Sequence, residues 1–352
     1  MNKAVSAIAV AALGIACLVA SAAQTTSNPA KGVTEPLTGN FRWTCGPPIL
    51  QVTHWKNEDW VSIKDPSIVR YKECWHLFCT VRGRKRTHAI VYVSFQDWNR
   101  AGDAELQLLR CHSGYFCAPQ VFYFTPHQRW YLICQASDRK WTPEYQAAYS
   151  TTTDIADTGS WTPLRPLGAR PVGDNSGLDF WIICEDSKAY LFFTTLDGHM
   201  WREQTLLKDF PSGWSSPALA IQGDIFEASH TYKLKDLNCY LTLVEAQGRQ
   251  GRRYFKAYTA DALDSVWRPL AADKEKAFAS MSNVRQRAEH WTDSISHGEL
   301  IRWGVDERLE VALEGLRFLF QGVTDLERMG KNYGEIPWRL GILELERGSM
   351  HP

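Results

Sequence analysis

The chain has 352 residues, of which 44% are apolar, enough to fill the core of one large domain or of two ordinary ones. It carries 39 basic and 39 acidic residues, so its formal net charge is zero and it lacks the positive excess that nucleic acids or anionic membranes attract. Aromatic residues make up 12% and include 15 tryptophans. Because Trp and Tyr stack on sugar rings, this composition favours a neutral polar partner over a polyanion.

The N-terminus has the features of an export signal. Lys3 supplies a positive charge, residues 4–20 form an apolar run, and Ala20-Ser21-Ala22 is a small-residue cleavage site. We therefore predict a signal peptide over residues 1–22, followed by a flexible linker over residues 23–39. The protein is then expected to be secreted, either outside the cell or into a periplasm.

Two membrane questions follow from this export signal. Lipidation at Cys17 stays open, because Gly14-Ile15-Ala16-Cys17 only faintly resembles a lipoprotein cleavage box. No later stretch reaches the roughly 18 consecutive apolar residues of a membrane span. We therefore expect no membrane partner once the signal is removed.

Eight cysteines follow the signal, and export makes disulfides possible. There is no CxxC pair and no Cys/His cluster with zinc spacing, which argues against a metal-thiolate site. Pairing cannot be read from the sequence, and buried free thiols are an equal alternative.

A repeat of about 55 residues organises the rest of the chain. Four similar apolar runs align on leucines 77, 132, 191 and 241, which are spaced 55, 59 and 50 residues apart. Each run is short and rich in aromatic or β-branched residues, and polar turn residues precede it, as expected for a buried strand. A second strand-like piece and a tryptophan follow each run, at Trp98, Trp161, Trp214 and Trp267.

A fifth, less regular unit covers residues 297–302, 308–311 and 316–320. Five small antiparallel sheets at this period predict an all-β fold, a five-bladed β-propeller over residues 40–346, with a C-terminal tail over 347–352. A β-sandwich is the weaker alternative, since it requires no such regular repeat.

Polar residues recur at the starts of the predicted blade strands. Asp65, Gln120 and Asp179 each lie twelve residues before an aligned leucine, Glu227 lies fourteen before one, and the fifth unit offers Glu299. A lone Asp before Pro is usually a turn residue. Equivalent positions in a propeller converge at one end of the central channel, however, so this recurrence predicts a cluster of acids.

Clustered carboxylates without an evident metal set are typical of glycosidic cleavage. That reaction needs one carboxylic acid to protonate the leaving oxygen and one carboxylate to activate water or attack the sugar. A third nearby acid raises the pKa of the general acid by like-charge repulsion and keeps it protonated near neutrality.

Several segments resemble glycoside hydrolase family 62, the α-L-arabinofuranosidases that act on arabinoxylan and share a clan with family 43. They run in family order from about residue 40 to 345, namely Ile63-Lys64-Asp65-Pro66-Ser67, Ala118-Pro119-Gln120-Val121-Phe122-Tyr123-Phe124, Phe226-Glu227-Ala228-Ser229, Gly251-Arg252-Arg253-Tyr254-Phe255, Ile295-Ser296-His297-Gly298-Glu299-Leu300-Ile301-Arg302 and Pro337-Trp338-Arg339-Leu340-Gly341.

The resemblance implies an inverting, one-step hydrolysis of α-L-arabinofuranose side groups. Asp65 matches the general base, Glu227 the general acid, and Asp179 the acid that tunes and orients Glu227. His297 matches the protein ligand of a calcium ion whose shell is completed mostly by water; no organic cofactor is expected. The residues expected to line the sugar pocket are Lys64, Gln120, Phe180 and Tyr333.

Two segments depart from the family pattern, the basic loop Arg82-Gly83-Arg84-Lys85-Arg86 and the residue Gly334. They put the preference for the polymer around the arabinose in doubt. The basic loop reads either as a solvated charged loop or as a site for an anionic substrate. Two other functions stay open, a family-43-like arabinanase or β-xylosidase with the same acids, and a non-catalytic sugar-binding propeller.

Overall fold

A computed structural model describes residues 37–346, except residues 53, 56, 57, 86, 236 and 288. The predicted signal peptide, Cys17, the tail and most of the predicted linker lie outside the described residues. None of the helices in the described ranges is long and apolar enough to cross a membrane.

The described chain forms five sheets of four or five strands, and the predicted five-bladed β-propeller is confirmed. Strand β1 (Trp43–Cys45) comes before the first blade in the chain. Blade 1 contains β2 (His54–Trp55), β3 (Glu58–Tyr71), β4 (Cys74–Gly83), β5 (Ala89–Phe95) and β6 (Gln107–Leu108). Blade 2 contains β7 (Phe116–Phe124), β8 (Arg129–Ser137), β9 (Tyr145–Thr152) and β10 (Arg165–Pro166).

The other three blades repeat this antiparallel plan. Blade 3 contains β11 (Leu178–Cys184), β12 (Lys188–Thr194), β13 (His199–Leu206) and β14 (Ala218–Gln222). Blade 4 contains β15 (Glu227–Leu234), β16 (Tyr240–Gln247), β17 (Arg253–Ala260) and β18 (Arg268–Ala271). Blade 5 is built from β1 together with β19 (Val284–Gln286), β20 (Ser296–Leu300), β22 (Arg317–Gly322) and β23 (Arg339–Leu345).

Helical structure in the described residues is confined to short turns. The α-helix α1 spans Asp325–Arg328 and is capped by Thr324. The 3-10 turns are Trp98–Asp103, Thr125–His127, Arg249–Gly251 and Tyr333–Glu335.

Both ends of the propeller meet in blade 5. Strand β1 pairs antiparallel with β23, with Trp43 opposite Leu345, and parallel with β19. This closure ties the first described strand to the last one and leaves no gap in the ring. The sequence analysis missed β1. It also assigned residues 308–311 to the fifth unit, which was wrong: β21 (Glu310–Val311) pairs with β15 and extends blade 4.

The innermost strands β3, β7, β11, β15 and β20 contact their neighbours around the central channel. Each of them carries a break in register, as expected for a β-bulge, and the break that holds Asp65 lies in the middle of β3. In four blades the bulge holds a non-glycine residue at positive φ, namely Asp65 (50°), Ala118 (51°), Asp179 (54°) and Ala228 (52°). Such conformations are uncommon and turn the side chain away from its ordinary strand direction.

The bulges correct the alignment made from the sequence. Asp65 and Asp179 are equivalent as predicted, but the equivalent residues in blades 2 and 4 are Ala118 and Ala228. Strands β7 and β8 are joined by a longer turn than β3 and β4, so counting twelve residues back from Leu132 ends two residues late. The predicted equivalence of Gln120 to the two aspartates was therefore wrong. That of Glu227 was wrong as well, because Glu227 lies one residue before the bulge residue Ala228, as Lys64 does before Asp65.

Candidate active site

Five bulge residues surround one end of the channel, and we call them the bulge ring: Asp65, Ala118, Asp179, Ala228 and His297. A side-chain oxygen of the preceding blade accepts a hydrogen bond from each of their backbone N–H groups. The acceptors, in the same order, are Gln321 (2.8 Å), Thr80 (2.8 Å), Gln135 (3.2 Å), Asp179 (2.9 Å) and Glu245 (2.7 Å). The N–H groups of the bulges are thus hydrogen-bonded by side chains of the preceding blade. The side chains of Asp65 and His297 are therefore free for other contacts.

Asp65 forms a buried ion pair with the residue before it. The Lys64 Nζ atom lies 3.3 Å from Asp65 Oδ2, and both side chains are almost fully buried. Burial alone would raise the pKa of Asp65, but the Lys64 ammonium and the His297 imidazole outweigh it and lower that pKa. Asp65 is therefore an ionised carboxylate at neutral pH, the state that a general base requires.

His297 lies between the two aspartates of the bulge ring. Its Nδ1 atom is 3.6 Å from Asp65 Oδ1 and 3.7 Å from Asp179 Oδ1. Burial raises the pKa of Asp179 although His297 opposes the shift, and the nearby charge of Asp65 raises it further. The two aspartates are therefore equivalent in the backbone but have pKa values displaced in opposite directions.

Glu227 begins β15 and is the third predicted acid of this pocket. Its side chain is 13% exposed, and its Oε1 atom lies 3.2 Å from Arg253 Nη1. Burial raises its pKa well above the usual value, and the charges of Glu245 and Asp179 add to this effect. Glu227 thus holds a proton at pH values where Asp65 does not, as expected of an acid and base pair.

Glu245 and Arg253 were missed as site residues by the sequence analysis. Glu245 is fully buried in β16 and accepts hydrogen bonds from Arg253 Nη1 (2.8 Å), from the Ser296 hydroxyl (3.1 Å) and from the His297 N–H group. Arg253 joins it to Glu227. A lone acid inside the apolar run Leu241-Thr242-Leu243-Val244-Glu245-Ala246 was the available signal.

A second set of five equivalent residues lies two residues further along the same strands, and we call it the inner ring: Ser67, Gln120, Trp181, His230 and Glu299. Each of these side chains hydrogen-bonds the backbone of the following blade. Gln120 accepts from the Ile182 N–H and donates to the Ile182 carbonyl, both at 2.7 Å. The amide of Gln120, which was predicted to contact the sugar, is thus engaged between blades 2 and 3.

The other two predicted sugar contacts differ in exposure. The Tyr333 hydroxyl accepts a hydrogen bond from Lys64 Nζ at 3.4 Å, and the residue is 44% exposed, so it borders the pocket opening. Phe180 is 2% exposed and packs against Phe193, so it offers almost no surface to a ligand. Lys64, Asp65 and Glu227 are all close enough to Tyr333 for their charges to act on its hydroxyl group, and His297 joins Asp65 to Asp179. The structure thus brings Lys64, Tyr333 and the three acids together in one pocket.

The sequence comparisons agree with this constellation. The family model described as glycosyl hydrolase family 62 matches residues 42–344. The chain belongs to this family. It is 40% identical over 314 residues to α-L-arabinofuranosidase C of Cellvibrio japonicus (strain Ueda107), covering 87% of this chain and 47% of that protein. The chain thus spans about half the length of the curated relative that it matches.

Solved structures of family 62 have the same fold. The catalytic domain of the Coprinopsis cinerea α-L-arabinofuranosidase is 36% identical, with a TM-score of 0.81, covering 88% of this chain and 98% of that one. A family 62 hydrolase in complex with xylotriose is 33% identical, with a TM-score of 0.80, covering 87% and 98%. The resemblance inferred from the sequence is confirmed.

The described residues of this family 62 chain contain no group of three His, Cys, Asp or Glu side chains arranged to hold a metal ion. His297 supplies one imidazole, whereas calcium takes six to eight oxygen ligands. The donor set does not form a calcium cage by itself, and the catalytic steps proposed below do not involve a metal ion. The eight described cysteines form no disulfide, and six of them are buried.

Proposed function

We propose that this family 62 chain is an inverting α-L-arabinofuranosidase that removes arabinofuranose side groups from arabinoxylan. One observation carries the proposal: a single pocket holds an ionised Asp65 and a protonated Glu227, whose pKa values are displaced in opposite directions. The sequence relative and the structural neighbour are α-L-arabinofuranosidases, which supports arabinofuranose as the sugar that is released. The xylotriose complex of a family member supports a xylan main chain as the polymer.

In the proposed reaction, the Asp65 carboxylate removes a proton from a water molecule while the water oxygen attacks the anomeric carbon of the arabinofuranose. Glu227 donates its proton to the oxygen that leaves with the xylan chain. The new carbon–oxygen bond forms on the face opposite to the broken one, so the anomeric configuration inverts. Asp65 ends protonated and Glu227 ionised, and exchange with solvent restores both groups.

The neighbouring residues position and tune this pair. Lys64 keeps Asp65 ionised and offers a donor to a sugar hydroxyl, while burial, together with the charges of Glu245 and Asp179, keeps Glu227 protonated. Inversion requires room for water, and we expect roughly 6.5–9.5 Å between the Asp65 and Glu227 carboxyl groups in the sugar-bound enzyme. A separation of about 5 Å is expected of a retaining enzyme instead.

Export and calcium belong to the same proposal. The charged start, apolar run and small-residue cleavage site of residues 1–22 support secretion, which places the enzyme where plant cell-wall polysaccharide is found. We also retain calcium at His297 as a proposal, bound mainly through water. Neither nucleic acid nor membrane is a proposed partner.

The test is incubation of the purified protein with wheat arabinoxylan, debranched arabinan and xylo-oligosaccharides, followed by identification of the released sugar. Arabinose from arabinoxylan alone is the expected result. Shortened arabinan or xylo-oligosaccharide chains would favour the family-43-like alternative, and sugar binding without turnover would favour the non-catalytic one. Proton NMR of the first product tests inversion separately, because the β-anomer of arabinofuranose must appear first.

A further inference from the structure

The two segments that depart from the family pattern meet in the structure. Arg82, near the end of β4, donates a hydrogen bond from Nε to the Gly334 carbonyl oxygen at 2.6 Å. A Cβ atom at position 334 would overlap the Cζ and Nη2 atoms of the Arg82 guanidinium. Glycine at this position therefore makes room for the guanidinium, and the two residues act as one unit.

The Arg82 guanidinium keeps two open donor groups. Only its Nε atom is bonded, and within the described ranges no carboxylate lies within ion-pair distance of it. The other two cations of the pocket are neutralised, Lys64 by Asp65 and Arg253 by Glu227 and Glu245. Arg82 is half-buried, so its charge is less hydrated than that of a freely exposed side chain.

This guanidinium lies at the opening of the catalytic pocket. Gly334 follows Tyr333, whose ring centroid is 5.0 Å from Lys64 Nζ. His88 is close enough to Lys64, Asp65 and Arg82 for all three charges to act on its imidazole. A substrate group held by Arg82 would therefore lie beside the arabinose site, where the polymer enters, and not inside the catalytic pocket.

We propose that Arg82 binds the carboxylate of a uronic acid substituent on the polysaccharide main chain, so that the preferred substrates are acidic arabinoxylans. The inference rests on the proposed function of the same pocket. Two parallel N–H donors of a guanidinium match the two oxygens of a carboxylate, and such charge-assisted pairs are about twice as strong as neutral hydrogen bonds. Exposed Arg84 and Lys85 on the same hairpin add positive charge to this side of the opening.

The test compares two arabinoxylan oligosaccharides that differ only in one uronic acid substituent next to the arabinosylated xylose. The quantity measured is kcat/KM for each, and the ratio of the acidic to the neutral substrate defines the preference. The unchanged enzyme is expected to prefer the acidic oligosaccharide by roughly 10- to 100-fold, the range of a charge-assisted hydrogen bond. The preference should shrink as salt is added.

Three variants locate the preference. Arg82→Gln removes the charge and is expected to bring the ratio close to one, whereas the matched control Arg84→Gln on the same hairpin keeps it. Gly334→Ala leaves the charge in the chain but displaces the guanidinium, so it too is expected to reduce the ratio. Circular dichroism and thermal melting of each variant establish that the fold is retained.

The outcomes separate this inference from the proposed function. Arabinose release at equal rates from both oligosaccharides, or a preference that survives Arg82→Gln, would overturn the role of Arg82 and leave the proposed activity standing. No arabinose from either oligosaccharide would overturn the proposed function itself. A preference lost equally in Arg84→Gln would show diffuse charge attraction and would also reject the specific site.

Discussion

The bulge ring and the inner ring have the same five-fold geometry, but their side chains have different hydrogen-bonding roles. In the inner ring every side chain bonds the backbone of the next blade, as Gln120 does with Ile182. In the bulge ring the backbone is satisfied from the preceding blade, as the Asp65 N–H is by Gln321. The carboxylate of Asp65 and the imidazole of His297 therefore remain available to the pocket.

This difference teaches that a polar residue facing a propeller channel is not by itself a functional residue. A buried backbone group left without a partner costs stability, so some channel residues must serve the blades. Asp179 belongs to both kinds, because its Oδ2 atom accepts from Ala228 N–H while its Oδ1 atom faces His297. If the bulge ring serves catalysis and the inner ring serves stability, substitutions in the first should lower activity and substitutions in the second should lower the free energy of unfolding.

Asp65→Asn is expected to have the largest effect. Loss of the general base should lower kcat/KM on arabinoxylan by about 10²- to 10⁴-fold. Stability should also fall, because Lys64 loses its buried counter-ion, so the rate must be expressed per folded molecule. This is checked by steady-state kinetics in which the amount of folded protein is determined from the cooperative melting transition. A loss of kcat/KM of less than tenfold would exclude Asp65 as the base.

Gln120→Ala tests the inner ring. The change leaves the Ile182 N–H and carbonyl groups unpaired in the core, and each such group costs about 1–3 kcal/mol. The free energy of unfolding should fall by about 2–5 kcal/mol, while kcat/KM per folded molecule falls far less than in Asp65→Asn. Denaturant titration measures the first quantity. An unchanged stability with a large loss of activity would instead support the sugar contact predicted from the sequence.

Glu245→Gln tests whether the charge of Glu245 raises the pKa of Glu227. Glu227 must be protonated to act, so activity is lost as the pH rises through its raised pKa. Removing the Glu245 charge lowers that pKa, and the alkaline limb of the profile of kcat/KM against pH should move to lower pH. The acidic limb, set by Asp65 with its lowered pKa, should move less.

Glu203→Gln is the matched control for this shift. Glu203 is also a fully buried glutamate, and burial raises its pKa to about 8, but it lies in β13 and contacts Arg170 instead of the pocket. An alkaline limb that moves as far in Glu203→Gln as in Glu245→Gln would contradict the assignment to Glu245.

Calcium removal is expected to have the smallest effect, because His297 would be the single protein ligand of a largely hydrated ion. A ligand that binds only the folded state stabilises it in proportion to the logarithm of its concentration over the dissociation constant. Chelator treatment should therefore lower the melting temperature slightly, and added calcium should restore it. The same melting temperature in chelator and in excess calcium would reject the site, and His297→Ala serves as the variant without it.

The repeat and the acids were predictable from the sequence for a physical reason. Blade strands are mostly short, buried and regularly spaced. Asp179 and Glu227 stand at the starts of β11 and β15, whereas Asp65 lies in the middle of β3, just before its apolar part. Which residues occupy equivalent positions in different blades was not predictable, because the turn before β8 is two residues longer than the turn before β4. Glu245 was hidden for another reason: it lies in an apolar strand, and its role follows from its contacts with Arg253, Ser296 and His297.

The central claim, that Glu227 is the acid and Asp65 the base, is tested most directly by the leaving group. The measurement is kcat/KM of Glu227→Gln on an arabinoxylan oligosaccharide and on an aryl α-L-arabinofuranoside whose phenolate leaves without protonation. We predict a loss of about 10²- to 10⁴-fold on the oligosaccharide and a far smaller loss on the aryl substrate, whereas Asp65→Asn loses activity on both. Equal losses on both substrates in Glu227→Gln would contradict the account.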